Sequence, residues 1–293
     1  MRENITGRQT LNKSELEAIR ELADFCDKHD GIRLKLNWDM LISRQPGNTD
    51  DFLCFDETGR LDGYLAIYCF GMPEAEISGM VRPSCRRNGI FSKLLAQAVD
   101  ECRRRSVKSI LFINSRNSDS AIAFAKAKGT TYDHSEHRME LPGSMNPITV
   151  KYPIRLRKAD ASDIDMLTRL NALCFDVSED ESRSHMLEII SEMGKGTDPA
   201  EVYISVFDDS DIGMLRLNWE NDELMIYGFG LLPEYRGKGL GRATLGTAVN
   251  LSLTRKPSHV GLEVDCFNDT ALSLYKSCGF STIATYDYYR LAI

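Results

Sequence analysis

The spacing of apolar residues changes repeatedly between Lys151 and Ile293, and each change marks a boundary between elements. Ile154 and Leu156 alternate with Arg155 and Arg157 at the period of a strand. Asp160-Ala161-Ser162-Asp163 then offers capping oxygens ahead of Ile164, Leu167 and Leu170, which recur at the period of a helix. A second helix is predicted over Ser184–Met193. Three strand-like runs follow, Val202–Phe207, Gly213–Trp219 and Leu224–Leu232, separated by the turn sequences Asp208–Asp211 and Glu220–Asp222; this predicts an antiparallel meander. Beyond it the pattern gives a glycine-rich loop, a helix ending at Arg255-Lys256-Pro257, an apolar strand over Ser258–Val264, a short helix to Ser277 and a closing strand near Thr282–Leu291.

The first half repeats this order at a constant offset of 150 residues. Gly63 matches Gly213, Pro83 matches Pro233, Arg86 matches Arg236 and Gly89 matches Gly239. Leu95, Ala98 and Val99 match Leu245, Ala248 and Val249, and further on Gly129 matches Gly279. Strand and helix signals alternate between these anchors, so each half reads as a compact α/β unit rather than a short solenoid repeat. A chain of 293 residues is long enough for two such cores. The predicted domains are 1–149 and 150–293, with linker composition in Leu141-Pro142-Gly143-Ser144-Met145-Asn146-Pro147.

Charge and composition remove several classes. A formal net charge of -7 argues against a broad nucleic-acid surface, which needs clustered Lys and Arg. The N-terminal stretch has no uninterrupted apolar core and no run of about eighteen apolar residues occurs anywhere, so neither an export signal nor a membrane span is expected. The eight cysteines are scattered, with no C-x-x-C pair, and are expected as free thiols in a reducing cytoplasm. His29, His134, His137, His185 and His259 form no ligand pattern, and no metal is expected.

The sharpest chemical signal lies where an apolar strand gives way to a helix, in Leu231-Leu232-Pro233-Glu234-Tyr235-Arg236-Gly237-Lys238-Gly239-Leu240-Gly241-Arg242. Glycines at such a junction leave backbone amides open to an anion, the helix dipole favours negative charge, and Arg236, Lys238 and Arg242 add cations. A Walker A loop needs Ser or Thr after Gly-Lys, whereas Gly239 follows Lys238; a dinucleotide fingerprint needs glycine where Arg242 stands.

Arg236-x-x-Gly239-x-Gly241 resembles the (Gln/Arg)-x-x-Gly-x-(Gly/Ala) signature of the GNAT superfamily of acyl-CoA-dependent N-acyltransferases. The run from Leu262 to Phe280 resembles the family's second block, a strand followed by Asn268-x-x-Ala271-x-x-Leu274-Tyr275-x-x-x-Gly279-Phe280. The resemblance implies two tandem α/β (α+β) folds, each a mixed, mostly antiparallel sheet flanked by helices. It also implies that amides from Gly237 through Lys238, Gly239, Leu240 and Gly241 to Arg242 hold the pyrophosphate of acetyl-CoA, the co-substrate, with Asn268 bonding its pantetheine arm.

Direct attack of a primary amine on the thioester, as the family implies, leaves the protein three tasks: to deprotonate the amine, to hold the oxyanion and to protonate the thiolate. Tyr275 occupies the family's acid position; the alternative is a packing role on its helix. Glu263 stands where the ribosomal-protein alanine acetyltransferases place their proposed base, or it is simply the polar side of a half-buried strand. Glu220, Glu223 and Tyr227 are weaker competitors. A backbone amide near Leu231 or Leu232, where the resemblance implies that the strands bulge and splay to admit the pantetheine arm, is expected at the oxyanion, and Asn268 serves equally as a helix cap.

The first half keeps Arg86 and Gly89 but has Phe91, Ala125 and Ser118 at the positions of Gly241, Tyr275 and Asn268. It is therefore expected to be degenerate and catalytically silent, an asymmetry that resembles the tandem architecture of the mycothiol synthases. The expected function is N-acetyl transfer to a primary amine of a small molecule or peptide. The alternative is a non-catalytic acyl-CoA-binding sensor or assembly module.

Overall fold

In the computed structural model the described residues are 4–69, 74–193, 200–220 and 222–293, the side chains of Asn4, Glu192 and Glu220 excepted. The chain folds as two compact units, one formed by Met1–Glu136 with Ala284–Ile293 and the other by His137–Ile283. The first unit runs β1 (Asn4–Arg8), α1 (Lys13–Asp30), α2 (Trp38–Ser43), β2 (Asp51–Phe55), β3 (Leu61–Tyr68), β4 (Glu74–Val81), α3 (Ile90–Arg104), β5 (Ser109–Ser115) and α4 (Asp119–Ala127). Strand β6 (Thr131–Pro142) then carries the chain into the second unit. There follow β7 (Arg155–Lys158), α5 (Ile164–Phe175), α6 (Glu179–Glu192), β8 (Glu201–Phe207), β9 (Ser210–Glu220), β10 (Glu223–Leu231), α7 (Leu240–Leu253), β11 (His259–Asp265), α8 (Asp269–Ser277) and β12 (Ser281–Ala292).

In the first unit β1 to β4 pair antiparallel in sequence order, β4 pairs parallel with β5, and β5 pairs antiparallel with Tyr286–Ala292 of β12. In the second unit β7, β8, β9 and β10 form the expected meander and β10 pairs parallel with β11. Each unit is thus the mixed, mostly antiparallel sheet flanked by helices that the sequence predicts. Relative to the halves 1–149 and 150–293, residues 137–149 pack with the second unit and Ala284–Ile293 with the first. The reason is local: Met139 and Leu141 are buried in the second unit's core, whereas Tyr286 and Tyr288 are buried in the first. Leu141-Pro142 is accordingly the end of a strand and not linker.

Several boundaries move by a few residues. Helix α6 begins at Glu179, five residues before Ser184, because the Ser178 hydroxyl caps it by accepting from the Glu181 N–H (3.2 Å) and three acidic residues occupy its first turn. The β8–β9 turn is only Asp208-Asp209, both left-handed (φ +47° and +57°), so Ser210 and Asp211 already belong to the strand. Asn221 of the predicted Glu220–Asp222 turn lies outside the described residues.

The second unit's sheet has two distinct faces. Leu215, Leu217, Leu224, Ile226, Val260 and Leu262 pack against Leu245, Ala248 and Val249 of α7 and Leu272 and Tyr275 of α8. Met214 packs on the other face with Leu167, Leu170 and Met186 of α5 and α6. Fully burying each such side chain stabilises the fold by roughly 1.5–3 kcal/mol. The glycine loop and α8 therefore rest on a packed layer. Among the described residues no helix is long and apolar enough to cross a membrane.

Candidate active site

The glycine loop has the geometry of an anion cradle. A 3-10 turn (Pro233–Tyr235) leaves β10, Gly237 and Gly239 take left-handed conformations (φ +71° and +81°), and α7 starts at Leu240 with no side-chain cap. The first amides of α7 thus face outward unsatisfied, as an anion site requires. Gly237, Lys238 and Gly239 are exposed and Leu240 is buried as the helix anchor. A Cβ at Gly241 would lie 3.4 Å from Leu274 and 3.8 Å from Leu231, ordinary contacts that show how closely α8 and β10 approach the loop. Arg242 donates to the Ser277 carbonyl at the end of α8, which leaves Lys238, among the described residues, as the loop cation with no such brace.

Arg236 has a different place from that expected of a phosphate ligand. Its Nε donates to the Leu231 carbonyl (2.8 Å) and its Nη2 to the Cys174 carbonyl (2.9 Å). The guanidinium ties the loop to the end of β10 and the end of α5.

Strand β10 carries a bulge, close to where the family resemblance leads one to expect it. Its register against β9 shifts between Tyr227 and Gly230, with Gly228 at φ +53°. One extra residue there is a β-bulge. The signal was present as Gly228-x-Gly230 inside a strand, since isolated strand glycines mark bulges. The parallel ladder of β10 with β11 covers only Leu224–Ile226 against Val260–Leu262. The Leu232 N–H donates to the Ile212 carbonyl (2.9 Å). By the alternation of an antiparallel ladder, the Leu231 N–H therefore points away from β9, towards the side where β10 and β11 have parted. Of the two amides expected at an oxyanion, Leu231 has the open one.

Tyr275 and Glu263 lie on opposite faces of this sheet. Tyr275 is buried beside Phe229 and Phe280 (centroids 6.5 and 6.1 Å), and its hydroxyl makes no hydrogen bond among the described residues. Burial pushes the phenol up to about 12, which keeps it protonated at neutral pH. Glu263 is half-buried and alternates with Leu262 and Val264, which belong to the α7–α8 core. Its carboxylate is thus on the α5–α6 face, with Tyr227 and its cross-strand partner Arg216, whose guanidinium lies 5.0 Å from the Tyr227 ring. Asn268 Oδ1 caps α8 by accepting the Ala271 N–H (3.0 Å), so its capping role is occupied while its amide nitrogen remains to bond a ligand. The Glu220 side chain lies outside the described residues, and Glu223 pairs with Arg138 (3.0 Å) away from the bulge. Among the described residues no group of three or more His, Cys, Asp or Glu is arranged to hold a metal ion.

An uncapped glycine loop, a parallel strand pair that parts beside a bulge, and a buried phenol thus occur together in one unit with a mixed α/β sheet. The Acetyltransferase (GNAT) family matches this chain twice, over residues 16–129 and 164–280, and the chain belongs to that family of acetyl-CoA-dependent acyltransferases. Mycothiol acetyltransferase of Thermobispora bispora is 27% identical over 283 residues, covering 90% of this chain and 92% of its own. That of Clavibacter sepedonicus is 24% identical over 238 residues, covering 78% and 76%. Among solved structures, a GCN5-related N-acetyltransferase from Sphaerobacter thermophilus aligns with TM-score 0.79 at 17% identity, covering 98% of this chain and 95% of that one. A tandem GNAT protein from the clavulanic acid biosynthesis pathway aligns with TM-score 0.75 at 17% identity, covering 99% and 98%. These structural likenesses carry the fold; the family match carries the donor and an amine acceptor.

Proposed function

We propose that the chain is a tandem-domain N-acetyltransferase whose second domain transfers the acetyl group of acetyl-CoA to a primary amine of a small molecule or peptide. The observation that carries this reading is the coincidence, within one unit, of the uncapped Gly237–Arg242 loop, the bulge at Tyr227–Gly230 and the protonated phenol of Tyr275, without a hydrogen-bond partner among the described residues. The loop amides from Gly237 to Arg242 and the Nζ of Lys238 hold the pyrophosphate, and Asn268 bonds the pantetheine arm. The thioester carbonyl accepts from the Leu231 N–H, which strengthens as negative charge develops on that oxygen.

Glu263, on the α5–α6 face, takes the proton from the ammonium, directly or through water, so the free amine attacks the carbonyl carbon. The new C–N bond forms, the C–S bond breaks, Tyr275 gives its proton to the departing thiolate from the other face, and the second proton, which the nitrogen loses on becoming an amide, passes to solvent. A phenol near 12 does not ionise at neutral pH, so it enters each cycle as an acid and recovers its proton from solvent.

Release of free CoA over a panel of amines tests the reading, starting with mycothiol-type acceptors because relatives at 24% and 27% identity bear that name. Turnover on one acceptor class is the expected result. Tight acetyl-CoA binding with no turnover on any amine would instead support an acyl-CoA sensor.

A further inference from the structure

We propose that the end of α5 limits the size of the acyl group this site accepts, with Phe175 as the specificity-determining side chain. The inference rests on the donor-site reading above and deepens it.

The bulged strand is enclosed on both faces, and unequally. On the α5 side a Cβ at Gly230 would lie 2.7 Å from Cys174 Cβ, 3.3 Å from its Sγ and 3.2 Å from Phe175 Cζ. The last turn of the helix therefore sits directly on bare backbone. On the other side stand Phe229 and the ring of Tyr275. A thioester carbonyl accepting from the Leu231 N–H puts its acyl carbon within one residue of Gly230, about 3.4 Å along the strand, between these two walls. A short acyl group has room there, and a chain growing towards α5 meets the phenyl ring.

The two walls differ in what can be cut away. Tyr275 is 8% exposed and belongs to the core, whereas Phe175 is 42% exposed at the tip of its helix. Asp176 follows in a left-handed conformation (φ +56°) and turns the chain away, so Phe175 is the last helical side chain over the bulge. Arg236 fixes this wall, because one guanidinium is bonded to the carbonyls of both Cys174 and Leu231. A ring held over a reacting carbon by a bonded helix end discriminates by exclusion. The expected penalty is about tenfold or more for each methylene without space.

Calorimetry with acetyl-CoA and butyryl-CoA on the full chain, on Phe175→Ala and on Phe175→Leu tests this without requiring a known acceptor. The wild type is expected to prefer acetyl-CoA by at least about tenfold. Phe175→Ala should narrow that ratio by about tenfold and Phe175→Leu by less, with acetyl-CoA affinity kept within about threefold in both. Should the alanine variant fold poorly, the leucine variant gives the same ordering. Unchanged ratios in folded variants that still bind acetyl-CoA overturn the role of Phe175 while leaving the donor site intact. Failure of the wild type to bind either thioester overturns the donor site, and this inference with it.

Discussion

Arg86 and Arg236 stand 150 residues apart and hold the same position in their units, yet they end on different partners. Each Nε donates to the carbonyl five residues back, Val81 at 3.0 Å and Leu231 at 2.8 Å. Arg86 then forms a two-point ion pair with Asp30 at the end of α1 (2.9 and 2.6 Å), whereas Arg236 donates to the Cys174 backbone at the end of α5. The motif arginine is thus a brace common to both units, and its presence does not report chemistry. Even the loop is retained: Arg87 takes the left-handed conformation of Gly237 (φ +67° against +71°), at a cost of about 1–2 kcal/mol for a residue with a Cβ. The units part at the strand. Strand β4 keeps one register against β3 from Tyr68 to Gly63, with no bulge. Buried Met80 stands where Gly230 is bare, Ala125 replaces Tyr275 and Ile113 replaces Glu263. The first unit thus keeps the cradle without the bulge, the phenol or the carboxylate.

The largest test of this contrast is the phenol. Tyr275→Phe should lower kcat by about 10²-fold or more, with acetyl-CoA affinity within about twofold, and Glu263→Gln should lower kcat/KM by about 10²-fold. The reciprocal change Ala125→Tyr should create no turnover, because Ile113 and a straight β4 remain. Since Tyr275 loses its proton only as pH rises through about 12, the acid role adds no alkaline fall in rate below about pH 11. A kcat unaltered in Tyr275→Phe would remove the phenol from the mechanism.

The two arginines separate binding from stability. Arg236→Ala should weaken acetyl-CoA binding by about tenfold, since it frees the loop from the bulged strand and the helix end. Arg86→Ala should leave acetyl-CoA affinity and kcat unchanged while lowering the unfolding free energy by about 1–3 kcal/mol, because Asp30 loses its two-point pair with Arg86 and keeps His29. Equal losses of affinity in both variants, measured by calorimetry, would break the contrast.

The smallest expected effect concerns how α1 ends. Desolvation raises Asp27 from 3.8 to about 6, while its carboxylate accepts the Leu34 N–H (2.9 Å). A raised carboxyl binds its proton more tightly in the folded state, so its favourable contribution is present below about pH 4 and is lost as pH rises through about 6. Asp27→Asn retains an acceptor and removes the charge. It should therefore raise Tm by a few degrees near pH 8, about 2–4 °C per kcal/mol for a unit of this size, with the gain fading as pH approaches 4. At the end of α5 the residue that accepts the cap N–H, as Asp27 does in α1, is Ala172, so no such pH dependence arises there.

Much of this was legible from residue spacing. The meander, both glycine loops and the helix carrying Tyr275 follow from local periodicity and left-handed positions that glycine fills. What escaped was non-local or hidden by compensation. The bulge, expected near Leu231 from the family resemblance alone, left no mark on the repeat: it inserts one residue into β10, yet the offset of 150 holds at Gly230 because the shift is absorbed before β10 begins. Arg236 reads as a phosphate ligand in sequence, since nothing local reveals that Cys174, sixty-two residues earlier, supplies its partner. The contact of Phe175 with Gly230 is likewise a product of packing.

The last ten residues carry a consequence for the life of the chain. Asp287 receives Arg116 and Ser135 (both 2.6 Å), and Tyr288 bonds Glu136 and Lys35 (both 2.6 Å) inside the first unit's sheet. During synthesis, which ordinarily lets an N-terminal domain fold first, this unit must wait for a strand made more than 140 residues after its other parts. The piece encoded first is completed last, and a chain cut at residue 149 leaves open the sheet that the cut was meant to isolate.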